Sequence, residues 1–206
     1  MVEVLSFYKK QIDSSTIIDS LGLREREFFI VSAHREENID SEENFADLLE
    51  SLNCIASNYK KRIIVSTHPR TRKKIESKVG LQFDPLISFM KPLGFFDYIA
   101  LQKGAYCAIS DSGTITEESS VLGFPAITIR QAHERPEGMD EGTLIMTGLK
   151  SRDIINAIDI VTSQWLENNA VIKRVKDYDV DNVSKKVVRI IVSYVDYVRR
   201  TVWKEY

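Results

Sequence analysis

The chain has 206 residues, 43% of them hydrophobic, which is enough for one full core, and its formal charge of −2 with no long basic block argues against nucleic acid as the main partner. No run approaches the ~18 apolar residues of a membrane span, the N-terminus lacks the basic-then-apolar order of a secretion signal, and Cys54 and Cys107 sit in apolar contexts without CxxC spacing. A single main domain in the cytoplasm, handling a small molecule and making no use of a membrane, is the expectation.

Residues 1–22 place Val4, Phe7, Tyr8, Ile12, Ile17, Ile18 and Leu21 at helical spacing and end at Gly22, so they read as a helical lead-in. From Phe28 the rhythm changes to short β-branched runs, predicted as strands over 28–32, 62–66, 87–90, 106–110 and 126–129, with one more short strand within 142–147. Amphipathic segments near 41–59, 69–79, 94–103 and 114–122 lie between them. Apolar strands alternating with helices specify an α/β fold, a Rossmann-like doubly wound parallel sheet covered on both faces. A helix over 151–166 follows, then a long one over 182–204 whose stripe of Val183, Val187, Ile190, Ile191, Tyr194 and Val198 is expected to cover the sheet.

In such a sheet ligands bind beyond the carboxyl ends of the strands. Those ends are chemically loaded here: His34-Arg35-Glu36-Glu37-Asn38, Thr67-His68-Pro69-Arg70, Lys91-Pro92, Asp111-Ser112-Gly113, and Arg130 followed by His133-Glu134-Arg135-Pro136-Glu137. His34 is the strongest single candidate. His68 precedes the basic run 70–74, which reads either as a second anion site or as the exposed face of a short helix.

The fourth of these ends carries the most. Asp111, Ser112 and Gly113 fall where a strand hands over to a helix, so free N–H groups and the positive end of the helix dipole would face a phosphate. Gly113 would allow close approach, Ser112 and Thr114 add hydroxyls, and Glu118 lies about one turn into the helix, within reach of a ribose diol. The plainer reading is a capped helix, with Ser112 or Thr114 as N-cap and Glu117 completing a capping box from Thr114. Neither G-x-x-x-x-G-K-[ST] nor G-x-G-x-x-G is present, and the histidines lack metal-ligand spacing.

Taken together, His34-Arg-Glu-Glu-Asn38, Thr67-His68-Pro69, Asp111-Ser-Gly113 with Glu117-Glu118, Leu122-Gly-Phe-Pro125 and Glu134-Arg-Pro-Glu137 resemble the C-terminal half of the non-hydrolysing UDP-N-acetylglucosamine 2-epimerases over about residues 1–170. Asp111-Ser-Gly-Thr114 and Ala132-His-Glu-Arg-Pro-Glu137 look most like the capsule and O-antigen members that form UDP-N-acetyl-L-fucosamine. The resemblance implies a glycosyltransferase-B-like architecture of two Rossmann-like domains, of which this chain holds one. It divides the chain into a lead-in at 1–25 from the domain crossover, a UDP-binding domain at 26–170, and a C-terminal helix at 171–206 that packs across domains.

The resemblance also assigns roles. Ser112 and Gly113 would hold phosphate oxygens with Thr114 beside them in the UDP site, Glu118 would hold the ribose, Tyr98 would lie beside the uracil, and His34 and Arg135 would meet the diphosphate and the reacting sugar as the catalytic pair. Thr114 departs from the family, in which many members carry a second glycine. The implied chemistry is elimination and re-addition of UDP on a UDP-N-acetylhexosamine, with no cofactor and no metal. The family's catalytic carboxylates belong to an N-terminal half, which becomes the expected partner, so the chain alone is expected to bind UDP without turnover. Members are commonly dimeric, so a homodimer is the corresponding assembly. The alternatives are the nucleotide-binding half of a glycosyltransferase, a non-catalytic nucleotide-sugar-binding subunit, and a hydrolysing epimerase.

Overall fold

Alternation at period two sends the side chains of each strand to opposite faces of a six-stranded parallel sheet. The computed structural model describes residues 1–78, 80–132, 135–168 and 174–205. Strands β1 (Phe28–Ser32), β2 (Arg62–Ser66), β3 (Ile87–Met90), β4 (Cys107–Ser110), β5 (Ala126–Thr128) and β6 (Ile145–Met146) lie in the order β3-β2-β1-β4-β5-β6. All five pairings are parallel, and β1 sits between β2 (Phe28 opposite Arg62) and β4 (Phe29 opposite Cys107). The fold is Rossmann-like, and the strand order reverses direction between β1 and β4.

On one face Phe29, Val31, Ile63, Val65, Cys107, Ile109 and Ile127 pack against α5 (Glu42–Tyr59) and α10 (Ser151–Asn168). Helix α5 begins at Ser41, whose hydroxyl accepts from Asn44 N–H at 3.2 Å, and carries Glu42 and Glu43 in its first turn, where the dipole favours them. Its buried residues Phe45, Leu48, Leu49, Leu52, Ile55 and Ala56 fall three and four apart on the sheet-facing side. On the other face Phe28, Ile30, Ile64, Ala108 and Ala126 meet α7 (Phe95–Gly104) and α8 (Thr114–Leu122).

The lead-in comprises α1 (Val2–Phe7), α2 (Lys9–Asp13) and α3 (Ile17–Ser20), and it is built into this second face. Leu5 and Ile12 bury against Ile99 of α7, and Ile17 and Ile18 against the sheet cluster. Polar ties follow the same contact: Ser15 Oγ donates to Asp97 Oδ1 at 2.6 Å, and Lys103 pairs with Asp13 at 2.6 Å.

The predicted strands agree with the observed ones to within a residue or two, except that β6 is shorter than the 142–147 segment. The short helices α4 (Glu36–Asp40) and α9 (Pro136–Asp140) were not expected, while α6 (Pro69–Ser77) matches its segment. The last helix requires a correction. Helix α11 (Val183–Val198) does not cover the sheet, because α5 and α10 already occupy one face and α3, α7 and α8 the other. None of its residues is buried; Ile190, Ile191 and Tyr194 are all more than half exposed. Its start is tied to α1, where the N–H groups of Asn182 and Val183 donate to the Glu3 carboxylate at 2.8 and 3.3 Å.

Candidate functional site

The reversal of strand order opens a crevice between the ends of β1 and β4, and most of the predicted site residues gather there. Asp111 follows β4 and is fully buried. Its Oδ2 accepts from the N–H groups of His34 and Arg35, both at 2.9 Å, and from Asn38 Nδ2 at 3.1 Å. Arg35 Nε closes the link by donating to the Asp111 carbonyl at 2.9 Å. The loop after β1 is therefore wrapped around one carboxylate from the neighbouring strand, and α4 continues from it.

Asp111 Oδ1 faces His34 Nδ1 at 3.3 Å, off the axis of a regular hydrogen bond. Nδ1 is turned toward the carboxylate and the side chain is 48% exposed, so the ring is held from one side and open to solvent at the strand ends. Sequence reasoning placed Asp111 in the phosphate turn and Asn38 at a loaded strand end, and missed that the Asp111 side chain ties the two together. A carboxylate directly after a fully buried strand was the available signal.

The turn into α8 differs in detail from what the sequence led us to expect. Asp111 N–H donates to Ser32 O and Ser112 N–H to Ser110 Oγ, both at 3.1 Å, so these two donors are occupied. The N-cap is Gly113, whose N–H has no helical partner, while Thr114 N–H reaches Ser112 Oγ at 3.4 Å. Gly113 has φ −65° and ψ −25°, a conformation open to any residue, so its lack of a side chain matters for space and not for backbone freedom. The capping box from Thr114 to Glu117 does not form. Thr114 Oγ1 instead lies 3.0 Å from Ser112 Oγ, and Glu117 turns to Arg135.

Glu118 is only 6% exposed. Its Oε2 accepts from Gln102 Nε2 at 2.8 Å. Burial pushes the Glu118 carboxyl above the usual carboxylate range, partly opposed by hydrogen bonds from Gln102 and Thr114. Ser112, Thr114, Glu118 and Gln102 thus form one polar chain from the turn into the body of the domain. Tyr98, one helical turn before Gln102 on α7, lies beside it: burial first and the Glu118 charge second push its hydroxyl up to about 12, against hydrogen bonds to Ser32 and Ser110 at the strand ends. Tyr98 therefore lies beneath the crevice with its hydroxyl toward the strands.

Arg135 reaches the same turn from beyond β5. Its Nη2 pairs with Glu117 Oε1 at 2.8 Å and its Nε donates to Gly113 O at 3.3 Å, which holds the guanidinium over the start of α8. Helix α9 fixes that position by lying directly on α8. A Cβ added at Gly138 would stand 2.2 Å from Thr116 Cγ2, so glycine is what permits the approach. Tyr178 Oη donates to Glu137 Oε1 at 2.8 Å from the outer side.

Two expectations fall elsewhere. His68 is exposed and caps α6, its Nδ1 accepting from Arg70 N–H at 3.4 Å. Three of the four basic residues of the run pair locally: Arg70 with Glu36 (2.8 Å) and Asp40 (2.7 Å), Arg72 with Glu76 (3.0 Å), and Lys74 with Glu42 (2.6 Å). These pairs favour the reading of the run as the exposed face of a short helix. His133 and Glu134 lie outside the described residues. Among the described residues no group of three or more His, Cys, Asp or Glu side chains could hold a metal ion, and no helix is long and apolar enough to cross a membrane.

Helix N–H groups flanked by an imidazole and a guanidinium make an anion-binding corner, with a buried carboxylate a short distance behind it. The family model described as UDP-N-acetylglucosamine 2-epimerase matches residues 1–192. The chain belongs to this family. Among curated relatives, UDP-N-acetylglucosamine 2-epimerase from Methanococcus maripaludis is 35% identical over 140 residues, 66% of this chain and 38% of the relative. The enzyme of the same name from Methanocaldococcus jannaschii is 33% identical over 156 residues, 73% of this chain and 40% of the relative.

The solved structure of UDP-N-acetylglucosamine 2-epimerase from Rickettsia bellii is 44% identical with a TM-score of 0.85, over 98% of this chain and 54% of that one. The Methanocaldococcus jannaschii enzyme, solved in complex with UDP-GlcNAc and UDP, is 28% identical with a TM-score of 0.75, over 89% of this chain and 50% of that one. The chain thus spans between about two fifths and a little over half of the length of these relatives.

Proposed function

We propose that this chain is the C-terminal, UDP-binding half of a UDP-N-acetylhexosamine 2-epimerase of glycosyltransferase-B-like architecture. The observation that carries the reading is the junction at Asp111, which joins the His34 loop to the phosphate-type turn at the point where the strand order reverses, in a chain of this family. The diphosphate would lie at the start of α8, held by N–H groups from Gly113 onward and by the hydroxyls of Ser112 and Thr114. Glu118 would take the ribose hydroxyls, with Tyr98 near the base. His34 and Arg135 would meet the leaving diphosphate.

The reaction then runs as an elimination and a re-addition. A base removes the proton at sugar C2, the C1–O bond to UDP breaks with its electron pair leaving on the diphosphate, and a glycal forms. UDP re-adds at C1 while a proton reaches C2 from the opposite face. The part of this chain is to bind UDP and to neutralise charge on the departing diphosphate, which His34 and Arg135 can do as hydrogen-bond donors. The group that removes the C2 proton is assigned to the rest of such a protein, since the chain spans about half of its relatives. The exposed apolar stripe of α11 supports the same division, as a surface that an N-terminal half would cover.

At the finer level, the Asp111-Ser-Gly-Thr114 turn favours a member that forms UDP-N-acetyl-L-fucosamine. Relatives in this family also include UDP-2,3-diacetamido-2,3-dideoxy-D-glucuronate 2-epimerase of Pseudomonas aeruginosa, 31% identical over 136 residues, so sugar choice varies above a shared nucleotide-binding frame.

The test is reconstitution. Mixed with a polypeptide equivalent to the other half of its relatives, in deuterated water, the chain should support C2 inversion of a UDP-N-acetylhexosamine with deuterium appearing at C2. Inversion without deuterium, or release of free sugar and UDP as the main products, would contradict the elimination and re-addition scheme.

A further inference from the structure

Gln102 is 1% exposed, and its amide is only half used: Nε2 donates to Glu118 Oε2 at 2.8 Å, while Oε1 has no hydrogen-bond partner. A buried acceptor left without a donor is costly, and leucine or methionine would fill the same space on α7 without that cost. The position therefore has a polar residue for the sake of its donor. That donor meets a carboxylate that is itself buried, whose other neighbour in the chain of polar contacts is Thr114 at the start of α8.

The geometry of α7 makes the delivery specific. Tyr98 and Gln102 are four residues apart, on one face of the helix, and both come to Glu118 from α7. A carboxylate on a flexible two-carbon stem has several rotamers. With one oxygen held from behind and Thr114 alongside, Glu118 keeps its remaining lone pairs in a fixed direction.

We propose that Gln102 is the positioning residue for Glu118, and that this buried pair gives the nucleotide site its selectivity for ribose over 2′-deoxyribose. The proposal rests on the reading of Glu118 as the ribose ligand. A diol donating to an oriented, partly desolvated carboxylate gains more than one donating to a mobile carboxylate in water, because the acceptor needs no reorganisation. A nucleotide without the 2′-hydroxyl forfeits that gain, and a chain without the Gln102 donor has less of it to forfeit.

The experiment is a calorimetric titration of UDP and 2′-deoxy-UDP into the wild-type chain and into Gln102→Met, which keeps volume and loses the donor. The wild type is expected to prefer UDP by about tenfold, the worth of one hydrogen bond to a charged acceptor. Gln102→Met should weaken UDP and leave 2′-deoxy-UDP nearly unchanged, so that the preference collapses to about twofold or less. Equal weakening of both nucleotides would mean a merely structural role and overturn the proposal, as would an unchanged preference, which would leave Glu118 as ribose ligand intact. A wild type that binds UDP but does not prefer it removes the ribose reading and this proposal together, and no binding of UDP removes the wider reading as well.

A second measurement needs no variant. In nitrogen-15-labelled wild-type chain, the Gln102 side-chain amide resonances should move when UDP is added and much less with 2′-deoxy-UDP. Equal movement with the two nucleotides would overturn the proposal even if Gln102→Met failed to fold.

Discussion

The His34 backbone N–H stands 2.9 Å from Asp111 Oδ2, and the His34 ring faces Oδ1 of the same carboxylate at 3.3 Å. One buried side chain just after β4 therefore sets both the path of the loop after β1 and the tilt of the imidazole. Replacing Asp111 with Asn keeps an acceptor oxygen but removes the charge that three donors meet, and should cost about 1–3 kcal/mol of stability. Asn38→Ala, which removes one of three donors, should cost about 1 kcal/mol. Urea melts of both variants check this, and an Asp111→Asn chain as stable as wild type would remove the junction from the account.

The contact of α9 with α8 makes Gly138 sensitive. Gly138→Ala forces its new methyl against Thr116 Cγ2 and should destabilise by about 1–3 kcal/mol, in the range of core overpacking. Thr116→Ser deletes the opposing methyl, so the double variant should recover most of the loss. Thermal melts of the two single variants and the pair give the coupling, and simple additivity would show that the contact is not the cause.

Glu118 makes the stability depend on pH. Burial raises its carboxyl above the value in the unfolded chain, so the folded state holds the proton over a window in which the unfolded state has released it. This contribution is fully present below the unfolded value of about 4.3 and is lost as pH rises through the folded value. Glu118→Gln should therefore melt higher than wild type at pH 7, with the gap closing below about pH 4. The same variant should bind UDP less well. Parallel melts at the two pH values decide it, and a constant gap would mean that the carboxyl charge is not what limits stability.

Much of this architecture could be read from the chain before any coordinates. The runs at 28–32, 62–66 and 87–90 became strands with those bounds, because short β-branched and aromatic runs suit a covered sheet, buried through most of β1 and half-buried at the edge strand β3. The loaded strand ends at His34 and Asp111 did converge, since topology brings β1 beside β4. What stayed hidden depended on pairing across long separations. Gln102 looks like any polar residue near a helix end until α7 and α8 are packed together. Glu117 follows a Thr at capping-box spacing, yet an Arg outside the local window captures it. The stripe on α11 is a sound amphipathic signal, but a periodic pattern shows only that a face is apolar and does not specify its partner.

Helix α11 gives a further prediction. Its start is tied to the Glu3 carboxylate, and none of its residues is buried, so a chain ending at residue 181 should keep its melting temperature and its affinity for UDP. The intact chain, with that apolar face exposed, should self-associate more readily than the shortened one in light scattering. A large loss of stability on truncation would mean that α11 packs on the domain after all.

The most direct test is titration of UDP into the purified chain, followed by calorimetry or NMR, alongside Ser112→Ala, Glu118→Ala and His68→Ala. The account predicts saturable binding in the micromolar to millimolar range, weakened about tenfold by each of the first two substitutions and untouched by the third. Absence of saturable binding, or binding indifferent to Ser112 and Glu118, would contradict the assignment of UDP to the β1–β4 crevice.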